Sequence, residues 1–152
     1  MQSLLAVIVT WLSISYGLPA SHDYPDVKVV PPAQIAALRY GGSAKDRAVE
    51  VASAKAEARA GQDLVAVYDD ASRTIYLPEG WSGKNAAETS VLVHEMVHHL
   101  QNLAGLKHEC PQAREKLAYE AQDQWLKRFG EDLETAFEID GMTRLVRTRC
   151  LH

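Results

Sequence analysis

The chain has no excess of positive charge, no apolar run of transmembrane length, few cysteines and no internal repeat or low-complexity tract. Lys and Arg number 16 against 20 Asp and Glu, giving a net charge of −4. That balance excludes the basic face or stripe on which nucleic-acid binding rests, so no nucleic-acid partner is expected. The only local basic excess, Arg144, Arg147 and Arg149, reads as a solvated helix face. The longest apolar run, residues 4–14, is short for a membrane span and has the length of a signal h-region. Small residues follow it, and Ser15-Tyr16-Gly17 or Leu18-Pro19-Ala20 could precede a cut. Residues 1–20 therefore read as an export signal, which places the protein in the periplasm or outside the cell. No Lys or Arg precedes the run, so an uncleaved N-terminal anchor is the alternative and the only membrane contact expected. An ordinary buried first helix or strand ranks below both, because the run is apolar all round and a Pro and polar stretch follow it. Residues 21–152 suit one compact domain, with nothing that fixes an oligomeric state.

The two cysteines are Cys110 and Cys150. An even count in an exported chain suggests a disulfide. It would close a loop of about forty residues, worth roughly 4 kcal/mol in the chain-entropy picture. Cys110 as a metal ligand beside His108 is the competing reading, but a catalytic zinc held by two His and a carboxylate needs no thiolate.

Along the chain, residues 21–32 read as extended, and Pro31-Pro32 starts a short helix stopped by Gly41-Gly42. Residues 46–60, rich in alanine and charge, predict a helix ended by Gly61. Leu64-Val65-Ala66-Val67-Tyr68 and Arg73-Thr74-Ile75-Tyr76-Leu77 predict two strands joined by the turn Asp69-Asp70-Ala71-Ser72. Asn85 with Glu88 three residues on is a variant capping box that opens a helix running to Gly105. Pro111 opens the next helix, ended by Gly130, and a last helical stretch over 133–149 is weakened by Gly141. The fold class is α+β, mostly helical, with a short β-hairpin before the helix that begins near Ala86.

That helix carries His94-Glu95-Met96-Val97-His98. Residues four apart on a helix differ by about 40° in direction, so both imidazoles point the same way, one turn apart, as two ligands of one ion must. Val93, Met96, Val97, Leu100 and Ala104 lie on another arc, while Glu95, Gln101 and Asn102 surround the histidines. The histidines are thus expected to face a cleft or solvent, and His99 reads as incidental. A catalytic zinc needs a third protein ligand and an open position. The next helix offers Glu115 and Glu120, about 140° apart around its axis. Glu120 falls with Lys116, Asp123, Gln124 and Lys127 on the solvated side. Glu115 sits at the edge of the apolar stripe, where an unpaired carboxylate is costly to bury. Glu115 is therefore preferred as a ligand, against a rim residue paired with Arg114. Ala118 is small enough to let the two helices approach as antiparallel neighbours.

Here the chain resembles the zincin metallopeptidases, and the gluzincin branch in particular, which pairs His-Glu-x-x-His with a glutamate on a later helix. The later motif reads Glu115-Lys116-Leu117-Ala118-Tyr119 in this chain. It is also similar to small exported bacterial proteins of unknown function with a "HEMVHHLQ" helix and an "AYxxQ" stretch, here residues 118–122. The resemblance covers about residues 73–125. It implies a zincin-like domain in which His94, His98 and Glu115 bind Zn2+ and Glu95 works on the water as general base. It implies, further, that the strand before the helix, Thr74-Ile75-Tyr76-Leu77, is an edge strand holding a peptide substrate by main-chain hydrogen bonds. Some gluzincins carry Asp where this chain has Tyr119, so Tyr119 becomes the candidate partner of the histidines. Tyr119, Tyr76 and His108 are the candidates for stabilising the transition state. The implied activity is zinc-dependent amide hydrolysis; the alternative is a non-catalytic exported or envelope-associated zinc protein with the same fold.

Overall fold

A computed structural model describes residues 1–40 and 65–150. The helix expected over 46–60, its flanking glycines and Leu64 of the first hairpin strand lie outside the described residues. The elements are α1 (Gln2–Tyr16), β1 (Asp26–Val30), α2 (Pro32–Tyr40), β2 (Val67–Asp69), β3 (Thr74–Pro78), α3 (Ala86–Leu103), α4 (Pro111–Lys127), α5 (Leu133–Phe137) and α6 (Gly141–Thr148). This is the expected mostly helical α+β architecture, with a small mixed sheet ahead of the helix that carries His94 and His98.

The sheet order is β1-β3-β2. β2 and β3 form the expected antiparallel pair, with Tyr68 opposite Ile75. The segment expected only to be extended supplies β1, which runs parallel to β3 with Asp26 opposite Thr74 and Val30 opposite Pro78. The strand containing Thr74, Ile75, Tyr76 and Leu77 is therefore central, paired on both sides, and not the edge that the family resemblance implies. Its N–H and C=O groups are spent on neighbours, so it has no free edge for a peptide. Among the described residues β2 is the edge on the hairpin side.

α3 is buried along its length, from Glu88 to Gln101. Leu92, Val93, Met96, Val97 and Leu100 pack with Ile75 and Leu77 of β3 and with Leu5, Ile8 and Leu12 of α1 in one apolar cluster. α3 starts at Asn85, whose side chain accepts the Glu88 N–H at 2.8 Å. The reciprocal half of the capping box is absent, because the Glu88 carboxylate turns instead to the N–H and hydroxyl of Ser82. Gly105, at φ 65°, ends α3 with paired bonds from Gly105 N–H to the Asn102 carbonyl and from Leu106 N–H to that of Gln101, a Schellman closure.

α4 runs antiparallel to α3. Ascending α3, Thr89, His94 and Gln101 meet Trp125, Gln122 and Arg114 in descending order. Ala118 and Ala121 are fully buried and permit the close approach. The Cys110–Cys150 disulfide is formed, with Cα atoms 5.8 Å apart, and it removes Cys110 from the list of candidate metal ligands. The final helical stretch is split: Glu138 adopts φ 56°, and α5 and α6 each begin on an aspartate cap, Asp132 and Asp140. α1, read as an export segment, is folded against the body. Leu5, Ile8, Val9 and Leu12 are buried, and Trp11 meets Trp125 edge-on at 5.3 Å. No helix among the described residues is long and apolar enough to cross a membrane.

Candidate metal centre

His94 and His98 project from successive turns of α3 toward α4, where Glu115 meets both. One carboxylate oxygen lies 2.8 Å from His94 Nε2 and the other 3.0 Å from His98 Nε2. The ligand atoms of these three residues lie within 4.8 Å of one another, so the group could hold a metal ion. Glu120 is exposed, on the solvated side of α4, as expected. Arg114, the alternative partner of Glu115, is committed elsewhere: both guanidinium arms bind Asp70 in the β2–β3 turn at 2.7 Å.

Two glutamines fix the imidazoles. His94 Nδ1 donates to Gln122 Oε1 at 2.9 Å and His98 Nδ1 to Gln101 Oε1 at 3.1 Å. The amide orientations follow from the other ends. Gln101 Nε2 donates to the Arg114 carbonyl, which can only accept. Gln122 Nε2 donates to Ser90 Oγ, whose own hydrogen goes to the Ala87 carbonyl. Each histidine thus carries its proton on Nδ1, and in the neutral ring the Nε2 lone pair points at the Glu115 carboxylate. Two lone pairs and an anion converging on one point repel unless positive charge stands between them. Protons on both Nε2 atoms satisfy that requirement, and so does one divalent cation. Bonds of about 2.0–2.1 Å in a tetrahedron place ligand atoms about 3.3 Å apart. The two His–Glu separations are a few tenths of an ångström shorter and the whole set lies within 4.8 Å, so the residues present fit such an ion after small shifts.

The electrostatics agree. Burial alone raises the Glu115 carboxyl, but hydrogen bonds and charge from His94 and His98 outweigh it and hold the group well below the usual carboxylate range. Burial pushes His94 down, yet Glu115, Glu95 and the Gln122 contact together raise its pKa. Both shifts state one fact: the pocket favours a negative carboxylate facing positive charge.

The centre opens into a cleft of about 620 Å3. Its walls include Val65, Ala66 and Val67 of the edge around β2, with Glu95 and Tyr119 beside the ligands. Glu95 is 7% exposed, and its carboxylate has no hydrogen-bond or ion-pair partner among the described residues. The Tyr119 ring meets His94 edge-on, with centroids 4.7 Å apart, and its hydroxyl accepts from Arg147 at 3.3 Å. The hydrogen bonds that hold the two imidazole Nδ1 atoms come from the glutamines, and Tyr119 meets His94 through its ring. Tyr76 and His108 are not among the residues that line the cleft; Tyr76 is on the central strand and His108 is exposed. His99, read as incidental, is a fully buried core histidine, bonded to the Tyr68 hydroxyl at 2.9 Å and the Asp23 carbonyl at 2.6 Å.

Sequence reasoning passed over Gln101, Gln122 and Arg147. The two glutamines were in view as the last letters of the "HEMVHHLQ" and "AYxxQ" motifs, and a reading of Nδ1 partners would have found them. Arg147, assigned to a solvated face, lines the cleft.

The chain matches, over residues 1–151, the family described as "Domain of unknown function (DUF6647)", and belongs to it. No curated protein and no solved structure matches the chain.

Proposed function

We propose that the protein is a zinc-dependent hydrolase that cleaves amide bonds, most simply a metallopeptidase. The observation that carries this reading is a three-ligand group, His94, His98 and Glu115, joined by no fourth His, Cys, Asp or Glu among the described residues. A structural zinc is closed by four protein ligands, whereas a catalytic one keeps a position open. The side chains able to close the set are engaged or distant: His99 is bonded at both ring nitrogens, Cys110 is in the disulfide and His108 is exposed. When bound, zinc supplies Lewis acidity and makes a water acidic enough to lose its proton near neutral pH. Glu95 takes that proton and returns it to the leaving amine in this reading, which is supported by a buried carboxylate on the cleft lining with no partner among the described residues. Among the described residues the edge strand is β2, not β3, and this supports an extended peptide there, because Val65, Ala66 and Val67 border the same cleft. The disulfide supports an oxidising compartment, periplasmic or extracellular.

Metal analysis of the purified protein beside Glu115→Ala and Glu120→Ala tests the ligand set. Stoichiometric zinc lost only in the first variant is the expected result; loss only in the second reverses the assignment. Glu95→Gln should keep the metal and lose turnover. A protein that refuses small hydroxamate chelators while holding zinc is instead the non-catalytic zinc protein.

A further inference from the structure

Among the described residues the cleft carries one permanent cation. Of the acidic and basic side chains that line it, His94 and Glu115 belong to the ligand group and Glu95 faces the reacting water under the hydrolase reading, which leaves Arg147. Four other arginines are committed, and Arg149 is not among the residues that line the cleft. Arg114 is paired with Asp70, Arg73 with Asp23 and Arg144 with Asp123, and Arg128 lies over the rings of Trp11 and Trp125. Arg147 has no carboxylate partner among the described residues; its hydrogen bond is the one from Nη1 to the Tyr119 hydroxyl. A guanidinium offers five N–H donors in a fixed fork, so most of its capacity faces the cleft unused.

Phe137 and Ile139, both buried, line the same cleft, and apolar surroundings strengthen a charge-assisted bond. The disulfide ties Cys150, three residues after Arg147, to Cys110 at the head of α4, the helix that carries Glu115. The guanidinium and the metal ligands are therefore held by one cross-linked frame.

We propose that Arg147 is a specificity-determining residue that binds a carboxylate of a peptide substrate. The carboxylate is either the C-terminal one or an acidic side chain near the cut bond. This rests on the hydrolase reading, and the test separates the two.

The zinc-loaded full chain is titrated with three hydroxamates on one scaffold: N-hydroxysuccinamoyl-alanine, its carboxamide, and N-hydroxysuccinamoyl-glutamic acid α-amide. One of the two acids should bind about tenfold tighter than the neutral carboxamide, equivalent to ~1.4 kcal/mol. Whichever acid is preferred identifies the carboxylate as terminal or side-chain. In Arg147→Gln the ratio of acid to amide affinity should fall to about one, and Arg147→Lys should keep part of it, because a point charge replaces the fork. The ratio within each variant is the readout, so a loss of folding or zinc common to all probes cancels. Equal binding of acids and amide by the parent, or a preference that survives in Arg147→Gln, overturns the assignment. Failure of all three hydroxamates to bind the zinc-loaded parent removes the open metal site, and with it both readings.

Discussion

Glutamines 101 and 122 do at the residue scale what carboxylates do in many metal sites, but without adding charge. Each holds a histidine by its Nδ1 proton, which leaves Nε2 as the only available lone pair and aims it across the helix interface. Such outer partners are typically worth 10–100-fold in metal affinity. Gln122→Leu preserves bulk and removes the acceptor, so the His94 Nδ1–H is stranded in a buried site. Zinc affinity, measured by competition with a chromophoric chelator, should drop by about tenfold or more in this variant. Ser90 also loses a donor in the change. Ser90→Ala, which keeps the His94 contact, is the control and should bind zinc much as the parent does. Unchanged affinity in Gln122→Leu would mean that packing alone orients His94. That His94, His98 and Glu115 could come together was legible from sequence, because helical periodicity fixes the direction of a side chain on its own helix. The glutamine pairings were not, since they depend on the register between α3 and α4.

At the scale of elements, the same limit explains the misplaced edge. The β2–β3 pair is local, joined by a turn of polar residues, and its antiparallel partner can be read from the chain. The β1–β3 pair is parallel, and parallel strands need a long crossover, so nothing near β3 announces its second neighbour. The polar stripe on α3 predicts a cleft or solvent. His94 does line the cleft, but Ser90, His94, His98 and Gln101 are also buried, because α4 satisfies them. What positions α3 at its start is Glu88, the buried acid that binds the N–H and hydroxyl of Ser82, while Trp81 Nε1 donates to the Glu88 carbonyl at 2.9 Å. Burial pushes the Glu88 carboxyl up, but the Ser82 hydroxyl and the N–H groups of Ser82, Lys84 and Gly83 outweigh it, and its pKa falls below the ordinary value. A depressed carboxyl stabilises the fold above its unfolded pKa, roughly 4.3, and that stabilisation is lost as the pH drops through the lower folded value. In metal-free protein, Glu88→Gln should cost about 1 kcal/mol in urea unfolding at pH 7. The gap between variant and parent should close below about pH 4. A gap that persists unchanged in acid would assign the cost to geometry and not to charge.

For the whole molecule, residues 1–20 carry two readings that make opposite demands. An export signal is removed or left in a membrane; α1 instead completes the core. Leu5, Ile8 and Leu12 are 0–2% exposed against α3, and Trp11 meets Trp125, which in turn donates to Thr89 in the first turns of α3. Fully burying an aliphatic side chain contributes about 1.5–3 kcal/mol, so these three, with Val9, stabilise by on the order of 6 kcal/mol before the entropy of ordering the helix is subtracted. Whole domains of this size are stable by about 5–15 kcal/mol. A chain beginning at Ser21 should therefore unfold at much lower urea than the full chain, or show no cooperative transition. Its Trp125 emission should shift to the red as Trp11 is lost. Zinc should rescue only part of the difference, because it binds α3 and α4 and not the face that α1 covers. If the shortened chain matches the full one in urea midpoint, emission and zinc content, α1 is dispensable and the segment is free to serve as a cleaved signal. If it does not, α1 belongs to the working fold, and the oxidising compartment indicated by Cys110–Cys150 must be reached with this helix still attached.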